Sequence, residues 1–203
     1  MKLAVIGASG TAGSRITSEL ARRGHAVTAI ARNPGKIASL ANVTAVKGDV
    51  LDQAGLARLI AGHDAAISSV HFTASDPLRL IGAARDSKVG RYLVVGGAGS
   101  LEVAPGVRLV TTPGFPVAYK AEAEKGAAFL DLLRAETELN WTFLSPSALF
   151  VAGERTGKFR LGTDRLLTAE DGKSWISFED FAFALADEIE RPAHIRQRFT
   201  VGY

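Results

Sequence analysis

Along the chain, short apolar runs alternate with longer segments in which apolar residues recur every three or four positions. The runs 3–6, 26–31, 43–46, 65–68, 92–95 and 141–144 are mostly apolar at successive positions. Strands with two covered faces read this way, so a parallel sheet with helices on each side is predicted. Helix signals fall between the runs. In 11–23, Ile16 and Leu20 stand four apart, and Arg22, Arg23 and Gly24 supply a last-turn cation pair and then a glycine stop. Asp76-Pro77 predicts a capped helix with a first-turn proline, running to residue 87. A third helix, rich in Ala and Glu, is predicted over 119–136. Repetition of strand, helix and strand predicts a doubly wound α/β fold.

After Pro146 the rhythm changes. Residues 158–161, a turn at 162–164 and residues 165–168 predict a small hairpin. Ser177 and Asp180 have capping-box spacing, with Asp in place of Glu, ahead of an amphipathic helix to residue 190. A last strand is predicted at 199–201. The pattern gives one domain over 1–203, with 146–177 forming a small lid-like hairpin region on the substrate side.

Composition narrows the function classes. The 203 residues suffice for one substantial core. Lys and Arg number 24 against 21 Asp and Glu, a formal charge of +3, and no basic tail or arginine stripe is present, so nucleic acid is not an expected partner. No apolar run reaches membrane-spanning length, and the start at Met1-Lys2 does not read as a signal peptide. Cysteine is absent, which removes thiolate and disulfide chemistry and suits a reducing, cytoplasmic setting. No metal-ligand spacing occurs among the four histidines.

The stretch GASGTAG at 7–13 joins the first predicted strand to the first predicted helix. Three chemical needs meet there. A glycine permits the sharp turn, a second lets phosphate approach the main chain, and a third lets helix pack close on strand. The helix N-terminus supplies unpaired amides and partial positive charge, which suit a pyrophosphate. Gly7, Gly10 and Gly13 fill these roles, with Ser9 and Thr11 as further donors. Glycine-rich turns also arise without ligands, and the strand-before, helix-after context is what points to a dinucleotide.

The spacing is GxxGxxG. Together with MKLAVIGASGTAGSRI, VTAIARNPGKI, VKGDVLD, YLVVGGAGSL, WTFLSPS and GKFRLGTDRLL, it resembles the NmrA-like NAD(P)-binding branch of the atypical short-chain dehydrogenase/reductase superfamily. The resemblance spans nearly the whole chain and is nearest to proteins described as NADH-flavin reductases and biliverdin/flavin reductase-like proteins. It implies a Rossmann-like fold. It also implies that Asp49 and Val50 lie near the adenine, Ser69 and Val70 beside the ribose or pyrophosphate, and Gly96 and Gly97 on the nicotinamide side. Pro146 is expected among the cofactor-binding residues. With Ser145, Ser147, Phe150 and the loop 102–116 it is expected to wall the substrate cleft.

Coenzyme choice can be read from the end of the second strand. NAD sites usually place Asp or Glu there, whereas this chain has Arg32, followed by Lys36. A guanidinium grips a 2′-phosphate through two parallel hydrogen bonds, so NADPH is expected over NADH, which is expected to bind more weakly. The catalytic side is leaner. The short-chain dehydrogenase relay pairs Tyr with Lys four residues on, but the residue four after Tyr119 is Ala123. That departure disfavours alcohol–ketone chemistry. It leaves hydride transfer to a flavin- or quinone-like acceptor, which needs mainly ring-to-ring placement. Three residues are candidates at the reacting end, each with a plain alternative. Tyr119 either contacts the acceptor or packs on a loop. Ser100 either orients substrate or makes a turn. His71 either gives a proton or caps a loop. An NADP(H)-binding redox sensor without turnover, with a protein partner, is the competing expectation. An isomerase or dehydratase ranks third. The chain is expected to act as a monomer or homodimer.

Overall fold

The apolar runs form the mostly parallel, helix-covered sheet that the pattern predicts. The computed structural model describes residues 1–203. Its first half comprises β1 (Lys2–Ile6), α1 (Thr11–Arg22), β2 (Ala26–Ala31), β3 (Val43–Lys47), α2 (Gln53–Ile60), β4 (Ala65–Ser68), α3 (Pro77–Ser87) and β5 (Arg91–Val95). A short ribbon of β6 (Glu102–Ala104) and β7 (Val107–Arg108) leads to α4 (Val117–Arg134) and β8 (Trp141–Pro146). Then come β9 (Leu149–Val151), β10 (Arg160–Gly162), β11 (Trp175–Ser177), α5 (Phe178–Glu190) and β12 (Gln197–Gly202).

Eight strands make one sheet in the order β10-β12-β8-β5-β4-β1-β2-β3. Every neighbouring pair is parallel except β10 with β12. The chain leaves β1 toward β3 and then crosses back to β4, so strand order reverses between β1 and β4. That reversal opens a crevice beyond the carboxyl ends of the two strands. On one face Ile16 and Leu20 of α1 and Phe181 and Leu185 of α5 cover Leu3 and Val5. On the other, Leu56 of α2, Leu80 of α3 and Phe129 of α4 cover Ala4, Ile6 and Phe143. Alternate residues of β1 thus enter opposite cores, as a strand covered on both sides requires.

Local chemistry sets the element ends. Gly24 stands at φ +82° just past α1. The Asp76 carboxylate accepts from the Leu78 amide at 2.9 Å, and the Ser177 hydroxyl accepts from the Asp180 amide at 2.9 Å. The short helix α2 lies outside the elements the periodicity predicts, although Asp52 caps it by accepting from the Gly55 amide at 2.9 Å.

The hairpin expected at 158–168 does not form. Its first arm, β10, pairs with β12 and not with 165–168, in the register Arg160 to Gly202. The free edge of β12 offers a full strand of backbone partners, while the second arm is drawn away: Leu166 donates to the Glu102 carbonyl at 2.9 Å, and Arg165 bridges Glu102. Arg160 fixes the pairing by donating to the carbonyls of Thr168 and Tyr203. The surrounding region is a tied strap. Arg155 pairs with Glu19 of α1 at 2.8 Å, and the Gly157 amide donates to the buried carboxylate of Asp180 at 2.8 Å.

Candidate functional site

The crevice is built first from backbone. Gly7 ends β1 at φ +84°, and the amides of Gly7 and Ala8 both donate to the Ile30 carbonyl, at 2.9 and 3.1 Å. This pins the turn to the end of β2. A Cβ on Gly7 would collide with the carbonyl of Ser69 across the reversal, and one on Gly13 would collide with the carbonyl of Gly7. Three segments therefore meet at backbone contact, which only glycine permits. Gly10 precedes α1 with no side-chain cap, and the Ser14 amide makes the first helical bond, to the Gly10 carbonyl at 2.9 Å. The amides of the first turn are left as donors beside exposed Ser9, Gly10 and Thr11. A glycine cradle with an uncapped helix end fits a pyrophosphate.

The other expected positions ring this cradle at strand ends. Arg32 follows β2, and Lys36 ends a short 3-10 turn at Pro34–Lys36. Both are exposed, and neither side chain enters an ion pair or hydrogen bond within the chain. Asp49 is exposed after β3, where its carboxylate accepts from the Leu51 amide at 2.9 Å and fixes the turn; Val50 packs partly on the core. Ser69 continues from β4, donating to the Ile6 carbonyl at 2.8 Å, and Val70 is half-buried beside it. Gly97 lies half-exposed beyond β5. Pro146 is buried at the end of β8, level with Val201 of β12.

Two expected positions lie inside the packing. Gly96 is buried, and a Cβ there would strike the Phe143 ring. Ser100 is also buried, and its hydroxyl lies 3.4 Å from the Arg198 guanidinium of β12. That contact joins Ser100 to the Arg198–Asp164 ion pair.

Tyr119 and His71 are the open candidates. Tyr119, in the first turn of α4, is 67 % exposed. His71 follows β4, and its side chain is 85 % exposed. Next to it Phe72 is buried against Phe129 edge-on at 5.9 Å and stacks with Phe143 at 6.4 Å.

Glu122, one turn beyond Tyr119, is a residue that sequence reasoning missed. Its carboxylate accepts from the Phe72 amide at 2.7 Å, the Thr73 amide at 2.8 Å and the Thr73 hydroxyl at 2.7 Å. It also lies 3.4 Å from His71 Nδ1. Burial alone would raise its carboxyl, but these bonds and the His71 imidazole outweigh that and hold it below the usual carboxylate range. Nothing in the linear sequence joins residue 122 to 71–73; a glutamate at helical spacing from Tyr119 was the available signal.

A parallel sheet whose order reverses over a glycine-lined, uncapped helix end defines a Rossmann-type nucleotide-binding domain. The chain belongs to the NAD(P)H-binding family, whose model matches residues 7–192. Three similar crystal structures carry provisional names. An exported protein of Burkholderia pseudomallei is 47% identical, TM-score 0.91, with both chains covered in full. An epimerase of Bacteroides thetaiotaomicron is 38% identical, TM-score 0.95, covering 100% of this chain and 96% of that one. An NADH-flavin reductase of Streptococcus pneumoniae is 39% identical, TM-score 0.87, covering 100% and 99%. No helix is long and apolar enough to cross a membrane.

Proposed function

We propose that this chain is an NADPH-dependent reductase that passes hydride to a flavin- or quinone-like aromatic acceptor. The observation that carries the reading is the pairing of an uncapped glycine cradle with two unpartnered cations, Arg32 and Lys36, at the end of β2. The first-turn amides of α1 hold the pyrophosphate. Arg32 takes the 2′-phosphate through its planar fork, and Lys36 adds a second positive charge. When bound, NADPH supplies the hydride.

The protein's contribution at the reacting end is placement. On this reading the acceptor lies against the 71–75 loop and the start of α4, where Tyr119 is exposed, beside the wall expected from 102–116, Ser145, Ser147 and Phe150. Two rings held face to face lose the translational freedom that otherwise slows their reaction. The residue four beyond Tyr119 is Ala123, so no lysine tunes the phenol in the dehydrogenase manner. An electrophilic aromatic acceptor does not need that relay. The similarity to an NADH-flavin reductase of Streptococcus pneumoniae supports the acceptor class. A chain without cysteine suits a reducing cytoplasm, and the protein works as a monomer or homodimer.

The test is oxidation of NADPH, followed by loss of its absorbance, with flavins and quinones offered in turn. Steady turnover with at least one acceptor, and tighter calorimetric binding of NADPH than of NADH, is the expected result. Tight coenzyme binding without turnover across the panel overturns it in favour of the redox-sensor reading, which the missing lysine partner of Tyr119 supports. No binding of either coenzyme overturns both.

A further inference from the structure

We infer that His71 is the proton donor to the reduced acceptor and that Glu122 is the residue that positions it. This inference rests on the reductase reading above.

The loop after β4 is held more firmly than an exposed segment needs. Phe72 anchors it in the core beneath α4, where a Cβ on Gly126 would strike its ring. Glu122 fastens the next turn through the amides of Phe72 and Thr73 and the Thr73 hydroxyl. The His71 carbonyl in turn accepts from the Ser75 hydroxyl at 2.9 Å and the Ala74 amide at 3.1 Å. The imidazole makes no hydrogen bond in this lattice, and its side chain is 85 % exposed at the carboxyl edge of the sheet. It stands two residues beyond Ser69, whose carbonyl meets Gly7 in the coenzyme cradle.

The ring has one charged neighbour. Its Nδ1 lies 3.4 Å from Glu122 Oε1, the oxygen that also accepts from the Phe72 amide, while the second carboxylate oxygen takes the Thr73 amide and hydroxyl. A carboxylate on that side attracts the ring's Nδ1 edge and leaves the Nε2 edge turned to a ligand. The other charged groups around the loop are otherwise engaged: Asp76 pairs with Arg79 at 3.5 Å, and Lys120 with Glu124 at 4.0 Å. Glu122 is thus the charge that faces His71.

The chemistry balances. An acceptor that takes a hydride gains two electrons and one hydrogen and carries one negative charge on a conjugated nitrogen or oxygen. The imidazolium Nε2–H bond breaks, and its proton bonds to that atom. The products are oxidised coenzyme and a neutral dihydro acceptor, and neutral His71 regains a proton from the water that bathes it. His71 so fills the place left vacant by the absent tyrosine–lysine relay.

Four variants test this, with a water-soluble benzoquinone and flavin mononucleotide as acceptors. His71→Asn lowers kcat about a hundredfold and abolishes the alkaline limb of its pH profile, with the affinity for NADPH unchanged. Glu122→Gln lowers kcat while the affinity for NADPH and the KM for the acceptor hold, and Glu122→Asp, which keeps the carboxylate, recovers part of the loss. Thr73→Val removes one loop tether but leaves the carboxylate, so kcat falls less than in Glu122→Gln. Turnover in His71→Asn with the limb intact, or a kcat unmoved by Glu122→Gln, overturns the inference while the reductase reading stands. Absence of turnover in the wild type overturns both.

Discussion

Arg32 and Gly7 show how single side chains, one present and one missing, shape the crevice. Arg32 is a guanidinium on a strand end with no acidic neighbour bound to it. Replacing it with alanine removes a charge-assisted grip of about 1.5–3 kcal/mol. Calorimetry of Arg32→Ala should therefore show NADPH binding weakened about ten- to a hundredfold, with NADH binding unchanged. A 2′-phosphate preference that survives the change would remove Arg32 from the site. Gly7 acts by lacking a side chain. At φ +84° any Cβ there faces the Ser69 carbonyl, and neither backbone can yield without parting β1 from β4. Gly7→Ala should lower thermal stability, at a cost of about 1–3 kcal/mol for the strained backbone alone. It should also abolish coenzyme binding measured by the same calorimetry.

At the scale of elements, Glu19 ties α1 to the strap, and its partner Arg23 carries the tie on to Asp187 and Glu190 of α5, closing the seam between the two helices. The buried Glu19 carboxylate takes Arg22 at 2.7 Å, Arg23 at 2.8 Å and Arg155 of the strap at 2.8 Å. Arg23 and Arg155 both lie over the Phe183 ring, at 4.6 and 4.4 Å. Burial would raise the Glu19 carboxyl, but the three guanidiniums overcome it and bring it down to about 2. A carboxyl lower in the folded than in the unfolded chain stabilises above its unfolded value and loses that effect as pH falls through the folded one. Glu19→Gln should cost about 3 kcal/mol at pH 7, judged by urea unfolding. The gap from wild type should close between pH 4.5 and 2. A gap independent of pH would mean that packing, not charge, holds the seam. Strands and long helices were legible because both sides of the sheet are covered and the caps at Asp76 and Ser177 are local chemistry. Three features were not. The eight residues of α2 carry too few turns for a period to show. The partner of β10 was hidden because edge pairing depends on what the rest of the sheet leaves open. Glu122 was hidden because a carboxylate reaching a loop 50 residues away leaves no mark on spacing.

For the whole molecule, the same linkage sets the response to acid. Glu122, Glu136, Glu188, Glu190 and Asp131, besides Glu19, all have carboxyls held below their ordinary range. Glu188 shows how far such contacts reach: it joins α5 to buried Arg91 of β5 at 2.8 Å and to His194 at 2.8 Å. The folded chain therefore binds fewer protons than the unfolded one in mild acid, and stability falls as pH drops below about 4.5. Scanning calorimetry should show the melting temperature falling steadily from pH 6 to pH 3; a flat profile would contradict the ion-pair network. The sheet edge carries a further consequence. Since β12 is threaded between β8 and β10, a ribosome releases β10 well before the strand that must separate it from β8 exists. Until then β8 presents a bare flank to β10, so a nascent chain stalled short of Gln197 is the species in which wrong strand pairing and capture by chaperones should concentrate.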